Sequence, residues 1–168
     1  KRLAEIFGII IFSSGILLSV ALLSYSPEDP NFIFPDNTEI KNILGFHGSF
    51  ISDLFFQSIG LVSYMFSFTL IITGLNIFRL KEFFLIIENM FYAIIYSLFG
   101  TLFLAHFHSS AFTLYINGNG GFIGNYFDQT FLKSLILINE QIFYYVLIIV
   151  NFVLFLISIN FYPIKFYL

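Results

Sequence analysis

Residues 54–82 read LFFQSIGLVSYMFSFTLIITGLNIFRLKE. From Leu54 to Phe78 no residue is charged, then Arg79, Lys81 and Glu82 follow in close succession, and apolar residues resume at Phe83. About 20 apolar residues suffice to cross about 30 Å of hydrocarbon. The run is long enough to span a membrane. The charged turn after it is so short that the next run must come straight back, which predicts an antiparallel hairpin of two spans.

Three further runs complete the pattern. Ile6–Leu23 precedes the hairpin, Asn89–Phe107 is its second arm, and Ile142–Phe161, interrupted by Asn151, is the last. Ile6–Leu23 is not followed by a small-residue cleavage site, so it reads as a retained span and not as a signal peptide. The fold class expected is an all-α polytopic membrane protein of one domain over residues 1–168. Its four transmembrane helices lie at about 6–23, 54–78, 89–107 and 142–161, and segments 24–53 and 108–141 lie between them.

Charge orients the spans. Lys1, Arg2, Arg79, Lys81 and Lys165 fall on one side. Lys41 and Lys133 fall on the other, together with Glu28, Asp29, Asp36, Glu39, Asp53, Asp128 and Glu140. Short loops that retain Lys and Arg are cytoplasmic. Both termini are therefore expected inside, with 24–53 and 108–141 as outer segments.

Composition excludes most other classes. The chain is 58% hydrophobic and 10% charged, with a mean hydropathy of +0.91, whereas a soluble domain carries about 25% charged residues. Four spans and their loops leave no room for a soluble catalytic domain. A net charge of −3 offers no basic surface for nucleic acid. The absence of cysteine removes disulfides, thiolate chemistry and Cys-based metal sites. The chain opens on Lys1 and not on Met, so it is expected to be part of something longer.

The outer segments carry the irregular sequence. Ser24–Gly48 is acidic and holds Pro27, Pro30 and Pro35. Proline fixes φ and removes a donor, so an extended, turn-rich loop is expected. In the second outer segment Asn117-Gly118-Asn119-Gly120-Gly121 reads as a turn, because glycine accepts positive φ. Over Phe122–Ile138, Phe127, Phe131, Leu135 and Ile138 recur at helical spacing while Asp128 and Lys133 fall off the stripe. That pattern predicts a short interfacial or re-entrant helix on the outer side.

No phosphate loop, His-Glu-x-x-His or Gly-x-Ser-x-Gly pattern is present, so no catalytic, cofactor or metal residue is assigned. His106 and His108 stand two apart, on opposed sides of a helix, and His47 lies in the first loop; they read as interfacial histidines and not as ligands. Asp53 reads as a first-turn acid complementing a helix dipole, with Ser49 or Ser52 as caps. Asn151 reads as an interhelical hydrogen-bonding residue. Ala93, Ser97, Thr101 and Ala105 repeat every four residues beside Gly100, and Gly8, Gly15 and Ser19 form a comparable line. Small residues at such spacing permit close helix approach.

Three stretches together resemble a known family. They are Ser24-Tyr25-Ser26-Pro27-Glu28-Asp29-Pro30-Asn31-Phe32; Asn42-x-x-Gly45-x-x-Gly48-Ser49-x-x-Ser52-Asp53-Leu54, continuing to Gly60-x-x-Ser63-Tyr64; and Gly118-Asn119-Gly120-Gly121-Phe122-Ile123-Gly124. In this order on a four-span frame they resemble the N-terminal membrane domain of the FtsK/SpoIIIE DNA translocases. Serine stands at Ser49, Ser52 and Ser63 where that family usually shows alanine. The proline usual shortly after the Tyr64 position is missing, and Asn139 stands where glycine is favoured.

The resemblance implies an anchor and assembly domain at the division septum of the bacterial inner membrane. It implies lipid, other division-site membrane proteins and further copies of the chain, as a hexamer through the motor, as partners. ATP and magnesium would be needed only in a motor domain beyond residue 168, where chromosomal DNA would be pumped; this segment itself is expected to touch no nucleic acid and to be no enzyme. The residues expected to matter, as turn formers or partner contacts, are Pro27, Asp29, Pro30, Asn42, Gly45, Gly48, Asp53, Gly120, Gly121 and Gly124. The alternative is a small four-span transporter or channel subunit, which would need membrane-embedded charge or helices broken at the midplane. No acid or base lies deep in any of the four runs. A haem or quinone subunit would rest on histidines that do not face one another.

Overall fold

A computed structural model describes residues 1–30, 39–109 and 116–161. Asn31, Phe32, Pro35, Asp36 and Lys165, named above, lie outside them. Among the described residues the structure is entirely helical: α1 (Arg2–Leu23), α2 (Gly45–Ile59), α3 (Val62–Leu80), α4 (Leu85–Phe107), α5 (Gly121–Asp128), α6 (Phe131–Ile138) and α7 (Glu140–Ser158). Four of these, α1, α3, α4 and α7, are long and apolar enough to cross a membrane.

The second apolar run is not one helix. Leu54–Phe78 is broken at Gly60 and Leu61, and its first residues belong to α2. At 15 residues, α2 measures about 22 Å, short of the hydrocarbon thickness. The second span is therefore α3 and runs to Leu80. Gly60 ends α2 with φ 57° and ψ −140°, backbone that only glycine adopts readily. Inside an apolar stretch such a glycine gives no sign that it stops a helix.

Helices α1 and α3 form the tightest pair. A Cβ on Gly74 would stand 2.3 Å from the Phe12 nitrogen, and one on Gly8 2.6 Å from that of Phe78. The backbones touch because neither glycine has a side chain. Gly15 meets Ile71 in the same way, and Ser19 Oγ bonds Ser67 Oγ at 3.1 Å. The matching runs antiparallel, from Gly8 against Phe78 to Leu22 beside Tyr64.

The line Ala93, Ser97, Thr101 and Ala105 is buried along its whole length on α4. Helix α5 lies across its end: Cβ atoms on Gly120 and Gly124 would sit 2.5 and 2.3 Å from the Thr101 carbonyl oxygen. On another side of α4, the Asn151 amide of α7 donates to the Tyr96 carbonyl at 2.6 Å and fills the space left by Gly100. That is the interhelical contact read from the sequence.

Where the sequence suggests one helix over Phe122–Ile138, there are two. Helix α5 ends at Asp128, and Thr130 caps α6 by accepting from the Leu132 N–H. A threonine able to take an N-terminal donor starts a new helix more readily than it continues an old one. On α6, Phe131, Leu135 and Ile138 are exposed while Ile136 is buried against Leu102 and Leu147. The α6 part of the stripe thus points away from the bundle, whereas Phe127 of α5 packs against that same cluster. Asn139 ends α6 and caps α7, its Oδ1 accepting from the Ile142 N–H at 3.1 Å.

The helices define two ends. One, the terminal face, holds Lys1, the α3–α4 turn and the end of α7. The other, the loop face, holds 24–30, 39–44, α2 and 116–138.

Candidate functional site at the loop face

The loop face is built from two interlocked backbone knots. The first begins where α1 stops. The last four carbonyls of a helix have no partner of their own, and here those of Val20, Ala21 and Leu22 each find one. The Val20 carbonyl accepts from Ser24 N–H and Oγ–H, that of Ala21 from the Asn42 amide at 2.9 Å, and that of Leu22 from the Tyr25 N–H and the Tyr64 hydroxyl. The helix end is sealed by the loop that follows it.

Pro27 takes the second position of a turn closed by the Asp29 N–H on the Ser26 carbonyl, a place suited to its fixed φ. The turn delivers Asp29 inward, where it is 1% exposed. Its two carboxylate oxygens accept from the N–H groups of Lys41 and Asn42, both at 2.8 Å. Pro30 is buried beside it, and its carbonyl accepts from Ser49 Oγ at 3.0 Å.

Asn42 is the hinge of this knot. Besides bonding Ala21, it closes a turn by accepting from the Gly45 N–H on its carbonyl at 2.9 Å. Gly45 sits at φ 65°, which glycine allows without cost. The Asn42 side chain occupies the space that Gly48 leaves, since a Cβ there would lie 2.1 Å from Asn42 Oδ1. Pro27, Asp29, Pro30, Asn42, Gly45 and Gly48 are therefore brought together, as parts of one backbone knot.

Asp53 has a different setting from the one expected. Helix α2 starts at Gly45, which puts Asp53 in its middle and not in its first turn. The Leu44 N-cap makes no side-chain bond. Ser49 and Ser52 cap nothing; Ser52 Oγ donates to the Ser49 carbonyl. Asp53 instead accepts from the Tyr25 hydroxyl at 3.0 Å and the Gln57 amide at 3.4 Å. The helix begins eight residues before Asp53 because the Gly45 turn starts it, and the motif spacing alone does not show that.

The second knot closes the break between α2 and α3. The Leu61 N–H donates to the Asn119 carbonyl at 2.9 Å. A Cβ on Gly60 would lie 1.9 Å from that oxygen, and one on Gly121 2.6 Å from the Gly60 nitrogen. The glycine turn is thus pressed into the helix break. Asn117 donates to Gln57, and Asn119 to the His108 carbonyl. Gly120, Gly121 and Gly124 serve this knot and the α4 seam. Tyr25, Gly60 and Asn119, absent from the residues expected to matter, are as central as any of these. Their presence within the quoted motifs was the available signal.

Electrostatics here are local. The Lys41 ammonium is paired with Glu28 on the exposed rim, which holds the Glu28 carboxyl below its usual range and the Lys41 amine above its own. The pair's small contribution is present at neutral pH and fades as acid protonates Glu28. His106 Nδ1 contacts Asp128 Oδ1, with Lys133 3.7 Å from the other oxygen. His108 faces Phe103 and Tyr144 instead, and His47 is exposed on α2. Among the described residues no three potential ligands gather into a metal site.

Residues 1–161 match the family model for the 4TM region of DNA translocase FtsK/SpoIIIE. The chain belongs to this family. It is 28% identical over 72 residues to the DNA translocase FtsK of Rickettsia prowazekii (strain Madrid E), covering 43% of this chain and 10% of that protein. It is 30% identical over 63 residues to the DNA translocase FtsK of Rhizobium meliloti (strain 1021), covering 38% and 7%. The matched stretches thus span a tenth or less of these relatives. No solved structure matches the chain. Within the 4TM family frame, the motifs that signalled the resemblance are the ones that build the two knots.

Proposed function

We propose that this chain is the anchor and assembly domain of a DNA translocase that acts at the division septum and couples chromosome partition to cell division. The observation that carries the reading is the family match along 161 residues, on a chain with four candidate spans. The translocating motor, with its ATP, magnesium, DNA and hexameric ring, belongs beyond residue 168. What this segment contributes is position: four helices in the inner membrane and a rigid loop face offered to other division proteins. A motor needs a phosphate-cradling loop with its Lys and hydroxyl, and the sequence has no such loop.

Lys1, Arg2, Arg79 and Lys81 cluster at the terminal face, so that face is cytoplasmic in this reading. Because the chain lacks cysteine, single substitutions report cleanly. Glu39→Cys should react with an impermeant thiol reagent added outside intact spheroplasts, and Glu82→Cys should react only after lysis. The reverse pattern would invert the topology.

Localisation tests the septal role. Fused to a fluorescent protein in dividing cells, residues 1–168 should concentrate at the division plane. Even fluorescence around the membrane would leave an anchor without a septal role. Purified in detergent, the segment should hydrolyse no ATP and retain no duplex DNA at physiological salt; specific turnover of MgATP would sink the assignment.

A further inference from the structure

Helix α7 is the least embedded of the four candidate spans. It fully buries only Leu147 and Ser158, while Ile142, Tyr145, Ile149, Phe152 and Val153 are all exposed. In a bilayer such residues gain little by choosing protein over lipid, because both are apolar. Polar contacts must therefore decide where α7 ends.

One of these contacts, Asn151 on the Tyr96 carbonyl, lies mid-helix, and Ser158 Oγ meets Thr69 Oγ1 at 3.3 Å near the end; the rest gather just past the last turn. Ile159 caps the helix and Asn160 follows in the left-handed region at φ 54°. The Asn160 N–H donates to the Ile157 carbonyl and the Phe161 N–H to that of Leu156, both at 2.9 Å. These two bonds are a Schellman ending, in which the left-handed position is usually glycine. Asparagine tolerates that conformation less freely than glycine, so its side chain needs a reason to be there.

The reason is visible in the contacts. Asn160 Oδ1 accepts from the Asn89 amide of α4 at 2.8 Å and from the Asn76 amide of α3 at 3.3 Å. Asn76 also reaches the Ile159 carbonyl at 3.3 Å. The Asn89 amide bonds Thr73 Oγ1 at 2.9 Å as well, and Asn89 is completely buried. One acceptor on α7 is thus gripped by donors from both arms of the hairpin.

We propose that Asn160 is a positioning residue: its side-chain carbonyl latches the end of α7 to the α3–α4 hairpin and so fixes where the chain leaves the bundle at the terminal face. Ser158 and Asn151 hold the helix itself; without the Asn160 acceptor the turn beyond Ser158 keeps only the weaker Asn76 bond to the Ile159 carbonyl and is freer to splay. Glycine at 160 would keep the backbone turn and lose the latch. Aspartate would keep both the turn tendency and the acceptor.

The test is a distance measurement in lipid nanodiscs on the cysteine-free chain, with nitroxides at Ile87→Cys on α4 and Ile157→Cys on α7. The parent should give one narrow interspin distance. Asn160→Gly should broaden it toward longer values, and Asn160→Asp should restore the narrow peak. Asn76→Ala, which removes one of the two donors, should broaden it partially, so the test stands even if Asn160→Gly folds poorly. A distribution in Asn160→Gly as narrow as the parent's would overturn the latch. So would Asn160→Asp behaving like Asn160→Gly, since then the acceptor is not what holds the helix.

Discussion

Replacing Gly60 with alanine should be the most damaging single-methyl change in the molecule. Two penalties coincide there. The backbone, at φ 57° and ψ −140°, lies where a Cβ costs about 1–3 kcal/mol by itself. The added carbon would also lie 1.9 Å from the Asn119 carbonyl oxygen, a backbone atom that cannot swing aside. Moving it would break the Leu61 N–H bond to that same oxygen, which costs a further ~0.5–1.5 kcal/mol at this partly buried position. Together these amount to several kcal/mol. Gly45→Ala is the matched control. It has a similar φ of 65°, but a Cβ there would meet nothing within 4 Å, so only the left-handed backbone cost of about 1–2 kcal/mol applies. Thermal unfolding in detergent should rank Gly60→Ala far below Gly45→Ala. Equal melting temperatures would mean that the knot at the helix break carries no stability.

The next largest effect should come from Asp29→Ala. The carboxylate is buried and serves two backbone N–H groups at 2.8 Å each. Removing it strands both donors, and bonds to a charged acceptor contribute about 1.5–3 kcal/mol apiece. Asp29→Asn retains one carbonyl oxygen and should fall between. Glu28→Ala, one residue away, removes an exposed ion pair and should lower the unfolding temperature far less. If Asp29→Ala is as mild as Glu28→Ala, the first knot does not hold the loop face together.

What the sequence discloses about this fold follows the range of the interactions. The apolar runs of α1, α3, α4 and α7 are local features, and they are plain in the sequence. So is the small-residue seam Ala93–Ala105, and so is Asn151, because a lone amide in a span has few other uses. Gly60 is different. It looks like a tolerated glycine in an apolar stretch until its partner Asn119, distant in the chain, is placed against it. Asp53 was misplaced for a similar reason: the start of α2 is set by the Gly45 turn, which depends on Asn42 reaching back to Ala21. The pairing of His106 with Asp128 and the grip of Asn76 and Asn89 on Asn160 join residues on different helices, and no spacing rule connects them. The residues chosen from the motifs lie at the loop face, where they form its scaffold beside Tyr25 and Asn119.

The break between α2 and α3 also has a history. Synthesis proceeds from the N-terminus, so Gly60 and Leu61 leave the ribosome well before Asn119 and Gly121 exist. Until then the acceptor that the Leu61 N–H uses in the finished fold does not exist, and the break cannot be pinned. The knot can close only after α4 has been made and the glycine turn beyond it has come back to the same face. Residue order thus imposes an order of assembly: the loop face closes only after the α3–α4 hairpin has been made.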